Sequence, residues 1–254
     1  MKKLLPSFLL LFSSPVFAQA DHFLLVGTYA SPKSEGIHVY RFNSKDGSAT
    51  ALGPTRTSNP SYLAISPNQR FVYAVNEDEA GGVSAYSFDK KTGQLTLINQ
   101  RSSGGAHPCY IAVDKTGQWV VAGNYSSGTI ALFKVQKNGG LDSAVQVIEH
   151  EGYSVNTDRQ QGPHVHATVF SPDNKYLYVP DLGIDKVMIY AFDAKKGNLH
   201  PAPAPFEISE AGAGPRHFEF HPSGKWAYLM EELSGAVAVY AYKNGQLNLM
   251  QNIT

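Results

Sequence analysis

Apolar residues along this chain come in short runs, one in each of four units headed by an aromatic residue, bounded by glycine, asparagine, aspartate or proline. Phe71 to Asn76, Trp119 to Asn124, Tyr176 to Asp181 and Trp226 to Glu231 hold equivalent places in four successive units. Before each lies a stretch of one design: Asn59-Pro60-Ser61-Tyr62-Leu63-Ala64-Ile65-Ser66-Pro67, His107 to Lys115, Gly162 to Asp173, and Gly214 to Pro222. After each come a turn and a third run, Gly82 to Phe88, Gly128 to Phe133, Lys186 to Phe192 and Gly235 to Tyr242. Turns such as Lys90-Lys91-Thr92-Gly93 and Lys195-Lys196-Gly197-Asn198 then lead into a fourth. The segments lack the roughly 3.6-residue spacing of a helix. Four short antiparallel strands, repeated every 48 to 57 residues or so, make the unit of a β-propeller blade. A β-sandwich, the other all-β solution, gives no reason for four near-copies with the same turn chemistry.

The pattern predicts a propeller domain over 21–254, with blades at about 21–59, 60–107, 108–162, 163–214 and 215–254. The first unit supplies a second, third and fourth strand (Phe23 to Tyr29, Gly36 to Phe42, Ala49 to Thr57) but no inner one, and Leu247 to Thr254 reads as a fourth strand. No stretch offers the closing inner strand, so the expectation is a chain truncated to about five blades. The alternative is an open five-unit arrangement with exposed edges.

Composition adds limits. The chain has 21 basic and 21 acidic residues, and without Lys2 and Lys3 it carries 19 against 21. That near balance argues against a nucleic-acid or acidic-lipid partner. Cys109 is the single cysteine, which excludes a disulfide scaffold and cysteine-based zinc sites. Lys2 and Lys3, the apolar run Leu4 to Phe12, Pro15 and Ala18-Gln19-Ala20 predict a signal peptide at 1–20 cleaved after Ala20. The expected location is periplasmic or secreted, with no membrane association after cleavage.

Inner strands of a propeller line its channel, and loops at one end build the site. Aligned on the following turn, the first channel-facing position holds Ser61, Cys109, His166 and Arg216. The residue after each second strand is Glu77, Tyr125, Leu182 and Glu232, with Glu231 a competitor for the role of Glu232. Strand alternation predicts that His164 and His166 share a side. Those two histidines with Asp181 form no complete metal-ligand spacing, so no metal and no cofactor are expected. Nucleophilic catalysis has no support, since the chain has no Gly-x-Ser-x-Gly elbow.

Several motifs in order resemble the lactonase family of seven-bladed propellers, which includes bacterial 6-phosphogluconolactonases and the fungal carboxymuconate cycloisomerase. They are Gly27-Thr28-Tyr29 with Gly36-Ile37, Asn124-Tyr125-Ser126-Ser127-Gly128, Arg159-Gln160, Pro163-His164-Val165-His166, Pro180 to Val187, and Gly214-Pro215-Arg216-His217 with Glu232-Leu233. The resemblance implies a catalytic set of His166, Arg216 and Glu232. A second arginine belongs to a later blade in the family, beyond Thr254, and His164, Arg159, Asp181, Asn124, Tyr125 and His217 are the residues expected to bind substrate.

The activity so implied is hydrolysis of a sugar-acid lactone, with a small-molecule lactone or sugar acid as partner. His166, whose ordinary pKa of about 6.5 suits neutral pH, would act as general base; Arg216 would hold the oxyanion or an acidic group, and Glu232 would orient one of the other two. The alternatives are a carboxymuconate-type cycloisomerase and a noncatalytic sugar-acid- or peptide-binding propeller. Export favours an unphosphorylated aldonolactone over a phosphorylated one, and the loop Gly152 to Gln161, carrying Arg159, is the expected specificity element.

Overall fold

The described strands form five antiparallel sheets, one of three strands and four of four, each in sequential order. The first sheet is β1 (His22–Gly27), β2 (Ile37–Phe42) and β3 (Ala49–Thr55). The second is β4 (Leu63–Ile65), β5 (Phe71–Asn76), β6 (Gly82–Phe88) and β7 (Leu95–Ser102). The third is β8 (Pro108–Val113), β9 (Trp119–Asn124), β10 (Thr129–Val135) and β11 (Leu141–Glu149). The fourth is β12 (Val169–Phe170), β13 (Tyr176–Asp181), β14 (Lys186–Asp193) and β15 (Asn198–Ile208), and the fifth β16 (Pro215–Phe220), β17 (Trp226–Glu231), β18 (Val237–Lys243) and β19 (Gln246–Ile253). This computed structural model describes residues 22–31 and 36–254; the expected signal peptide at 1–20, with its cleavage after Ala20, lies outside them.

The turn chemistry fixes where the second strands begin. Ser66 Oγ accepts from Phe71 N and Ser171 Oγ from Tyr176 N, both at 3.0 Å, while Asp114 Oδ1 accepts from Trp119 N at 2.9 Å. In the second, third and fourth sheets one short polar side chain thus ties the end of the inner strand to the aromatic head of the next.

The sheets stack face to face. Strands β5 and β9 are buried at every position, since both faces of a middle strand meet a neighbouring sheet, whereas the outer β11 alternates. Phe71, Tyr73 and Val75 pack with Ile111, Val120 and Phe133 between the second and third sheets. Val121, Leu132, Val179 and Tyr190 fill the next gap, and Tyr178, Phe218, Leu229 and Tyr240 the one after. Tyr178 stacks on Phe218 with centroids 5.2 Å apart. A register shift recurs in every outer pair, at Val39/Tyr40, Ala85/Tyr86, Leu132/Phe133, Met188/Tyr190 and Val239/Tyr240, giving each blade the extra twist of a bulge.

The fourth sheet departs from the expected pattern. After β13 the chain makes a 3-10 turn, Leu182–Ile184, in which Gly183 is buried. A Cβ there would stand 1.8 Å from Gly162 O and 2.9 Å from His164 N. Gly183→Ala is therefore expected to lower stability by about 3 kcal/mol, a Tm drop of roughly 6–12 °C in thermal unfolding for a domain of this size. A drop under about 2 °C would show that the two segments separate easily.

Candidate active site

One main-chain bond, repeated four times, brings pairs of side chains to the same end of the channel. Glu77 N donates to Asn59 O (3.0 Å), Tyr125 N to His107 O (2.9 Å), Leu182 N to His164 O (2.9 Å) and Glu232 N to Gly214 O (2.7 Å). Each bond sets the residue that follows a second strand beside the start of an inner strand. A bulge does the rest in two blades. Pro108 faces Asn124 and Tyr110 faces Gly123, leaving Cys109 between; Pro215 faces Glu231 and His217 faces Met230, leaving Arg216 between. The extra residue turns both side chains toward the channel, and it lets Arg216 and His217 face one cavity despite being adjacent in sequence.

That cavity has a volume of about 360 Å³ and opens to solvent. On one wall Glu232 is the hub. Its Oε2 accepts from Arg216 Nε at 2.7 Å, and its Oε1 from Arg159 Nη2 at 2.5 Å. Arg159 Nη2 also donates to Tyr125 Oη at 3.2 Å. His166 Nε2 lies 3.6 Å from Glu232 Oε2, and its Nδ1 lies 3.9 Å from Cys109 Sγ. The His217 ring is 5.5 Å from that of His166. The opposite wall holds Glu77, whose Oε2 accepts from Tyr29 Oη at 2.8 Å and from Ser61 Oγ.

Environment sets the charges. Burial, reinforced by the Arg216 cation and opposed by Glu232, pushes the His166 imidazole down to about 4, so it is neutral at pH 7. Burial and Arg216 lower His217 as well. Burial alone would raise Glu232, but the hydrogen bonds from Arg159 and Arg216 outweigh it and hold the carboxyl below its usual range. Burial, then Glu77, pushes the Cys109 thiol far up, so it is no nucleophile. A neutral base thus faces an ionised carboxylate clamped between two guanidiniums.

A buried carboxylate holds two of these segments. Asp185, at φ 52° at the end of the 3-10 turn, accepts at Oδ2 from Ser154 Oγ (2.5 Å) and Gly212 N (2.7 Å), and at Oδ1 from Gln160 Nε2 (2.8 Å) and Gly214 N (2.8 Å). It ties the loop bearing Arg159 to the segment entering Arg216.

Of the residues expected to touch substrate, Arg159, Tyr125, His166, Arg216, His217 and Glu232 line the cavity, and three do not. Asn124 is fully buried, donating through Nδ2 to Ser103 O and Thr129 Oγ1, both at 2.9 Å. Asp181 is fully buried too, accepting from His150 Nδ1 at 2.7 Å on one oxygen and from His164 N at 2.7 Å and Gly183 N at 3.0 Å on the other. Both close the channel end of a second strand, where a buried main-chain turn needs its donors and acceptors matched. His164 stacks flat on Tyr125, centroids 4.5 Å apart, and its Nδ1 donates to Tyr125 O at 3.0 Å. The His166 ring also meets Tyr125, edge-on with centroids 5.5 Å apart, but of the two histidines only His166 lines the cavity. Glu231, the competitor of Glu232, is buried and accepts from Ser234 Oγ at 3.0 Å. Among the described residues no three His, Cys, Asp or Glu side chains are grouped to hold a metal ion. The cavity also gains Tyr29 and Glu77. The register equivalence of Glu77 with Glu232 was the signal that could have found it.

The description of the seven-bladed β-propeller lactonases matches residues 23–254. The chain belongs to that family. This lactonase-family chain is 38% identical over 219 residues to the 6-phosphogluconolactonase of Bacillus subtilis and 34% identical over 234 residues to that of Formosa agariphila. Those matches cover 85% and 89% of the chain, which spans 61% and 66% of the two relatives. The solved periplasmic gluconolactonase PpgL of Pseudomonas aeruginosa superposes with a TM-score of 0.86 at 40% identity, over 90% of this chain and 67% of that one.

Proposed function

We propose that this lactonase-family chain hydrolyses a sugar-acid lactone in the Glu232 cavity. The observation that carries the reading is a neutral His166 3.6 Å from an ionised Glu232 that is itself bonded to Arg216. The names of the Bacillus subtilis and Formosa agariphila relatives and of PpgL support it. A water gives its proton to His166 Nε2 as its oxygen bonds to the lactone carbonyl carbon. The carbonyl oxygen takes the electron pair and its charge faces Arg216. Glu232 stabilises the imidazolium and holds the guanidinium in place. The carbonyl then re-forms, the ring C–O bond breaks, and the imidazolium proton passes to the leaving alkoxide, giving the open hydroxy acid. The location we propose is periplasmic or secreted, supported by the pattern of residues 1–20 and by the periplasmic relative.

The test is a lactone panel with a muconate arm, since a cycloisomerase would use the same groups. Ring opening of a sugar lactone above the spontaneous rate is expected; turnover of the muconate alone would assign the chain to the cycloisomerase reaction. The pH dependence is a sharper check. The base must be unprotonated, and its pKa is depressed, so kcat/KM should stay level through pH 6 and fall only as His166 protonates near pH 4. Arg216→Ala, which removes a cation, should move that acid limb upward. A limb at pH 6.5 that does not move in Arg216→Ala would show that burial and Arg216 do not depress the base.

A further inference from the structure

We propose that Glu77, with Ser61 and Tyr29, is a second binding arm of the cavity that accepts hydrogen bonds from a neutral polyol chain, making the substrate an uncharged polyhydroxy lactone. The inference rests on the lactonase reading of the opposite wall and extends it to substrate class.

Glu77 and Glu232 are the same position in two blades, each held by a main-chain bond to the residue ahead of its inner strand, Asn59 and Gly214. Their neighbours differ. Glu232 meets two guanidiniums, one on each oxygen. The inner-strand position that gives Arg216 in its blade gives Ser61 in the blade of Glu77. Glu77 therefore meets two hydroxyls, both donating to Oε2. Among the described residues nothing donates to its Oε1, and no Lys or Arg forms an ion pair with it. The Cys109 thiol lies between the walls, near enough to Glu77, Arg216 and Glu232 for all three charges to act on it.

One cavity thus has a charge-compensated wall with a base and a wall whose carboxylate meets only hydroxyls among the described residues. A carboxylate is acceptor only, so it binds donors, and vicinal hydroxyls are donors that reach it without bringing charge. A phosphate or second carboxylate at that end would face like charge with no cation among the described residues paired to Glu77 to offset it. With the carbonyl at Arg216 and His166, the hydroxylated end of a ring lactone falls toward Glu77.

The test compares the unaltered chain with Glu77→Gln, which keeps the shape and loses the charge. The ratio of kcat/KM for D-glucono-1,5-lactone to that for δ-valerolactone, which lacks the hydroxyls, is expected to fall about tenfold, the loss of one charge-assisted hydrogen bond. The change should sit in KM. The preference for D-glucono-1,5-lactone over its 6-phosphorylated form should shrink in the variant. An equal change on both unphosphorylated lactones, or a native preference for the phosphorylated one, would overturn the inference while leaving the lactonase reading intact. Calorimetric binding of D-gluconate against 5-hydroxyvalerate decides the matter without turnover. If no lactone is opened, the catalytic reading fails, and a selective loss of D-gluconate affinity in Glu77→Gln still supports the arm. Equal affinity in the two proteins ends it.

Discussion

His166→Asn is expected to lose between about 10² and 10⁴ in kcat/KM on a sugar lactone, the usual contribution of a positioned general base, while melting within a few degrees of the unaltered protein at pH 7.5. The imidazole is largely buried, its side chain 12% exposed, and neutral, so removing it breaks no ion pair. Acid makes the comparison informative. The pKa of His166 in the folded chain, about 4, lies below the ordinary value near 6.5, so between these limits the unfolded chain binds the proton and the folded one does not. Stability is therefore fully present above pH 6.5 and is lost as pH falls toward 4, by on the order of 3 kcal/mol in total. The variant lacks this loss and should gain on the unaltered protein as pH falls across that window. Urea unfolding at pH 7.5 and 5 measures it, and parallel pH curves would mean that His166 is more hydrated than its surroundings imply.

The second large effect is on stability. Asp185→Ala leaves Ser154, Gln160, Gly212 N and Gly214 N without their acceptor in a site where Asp185 itself is 3% exposed. Each orphaned buried donor costs roughly 1–3 kcal/mol, and with some of them recovering water the sum should be about 3–5 kcal/mol. The corresponding Tm drop is roughly 6–20 °C. Asp185→Asn should rescue only part, because the amide nitrogen would face donors. The loop with Arg159 and the segment leading to Arg216 lose their shared anchor, so catalysis should weaken at temperatures where the chain is still folded. Near-native melting of Asp185→Ala would show that the loop and segment are held by packing alone.

Much of the architecture was legible in the chain because its determinants are local. Apolar runs headed by Phe71, Trp119, Tyr176 and Trp226, each tied back to a turn residue about five places earlier, mark β5, β9, β13 and β17 with the observed bounds. Register then carried further than expected: lining up Ser61, Cys109, His166 and Arg216 put four side chains on one cavity without any long-range information. Motif membership failed for Asn124 and Asp181, whose polar atoms are spent on buried main-chain partners, and for His164, whose ring lies flat on Tyr125 outside the cavity lining.

What the sequence by itself determined is the repeat, and with it the end of the channel at which chemistry gathers, since turn residues and strand period act between near neighbours. What only the tertiary structure decided is which charges meet. Arg159 reaches Glu232 across 73 residues of sequence, and Glu77 is left with hydroxyls where its twin has guanidiniums. Those encounters depend on how a loop hung from Asp185 is routed and on which blades stand opposite, and no spacing along the chain encodes a distance across the channel.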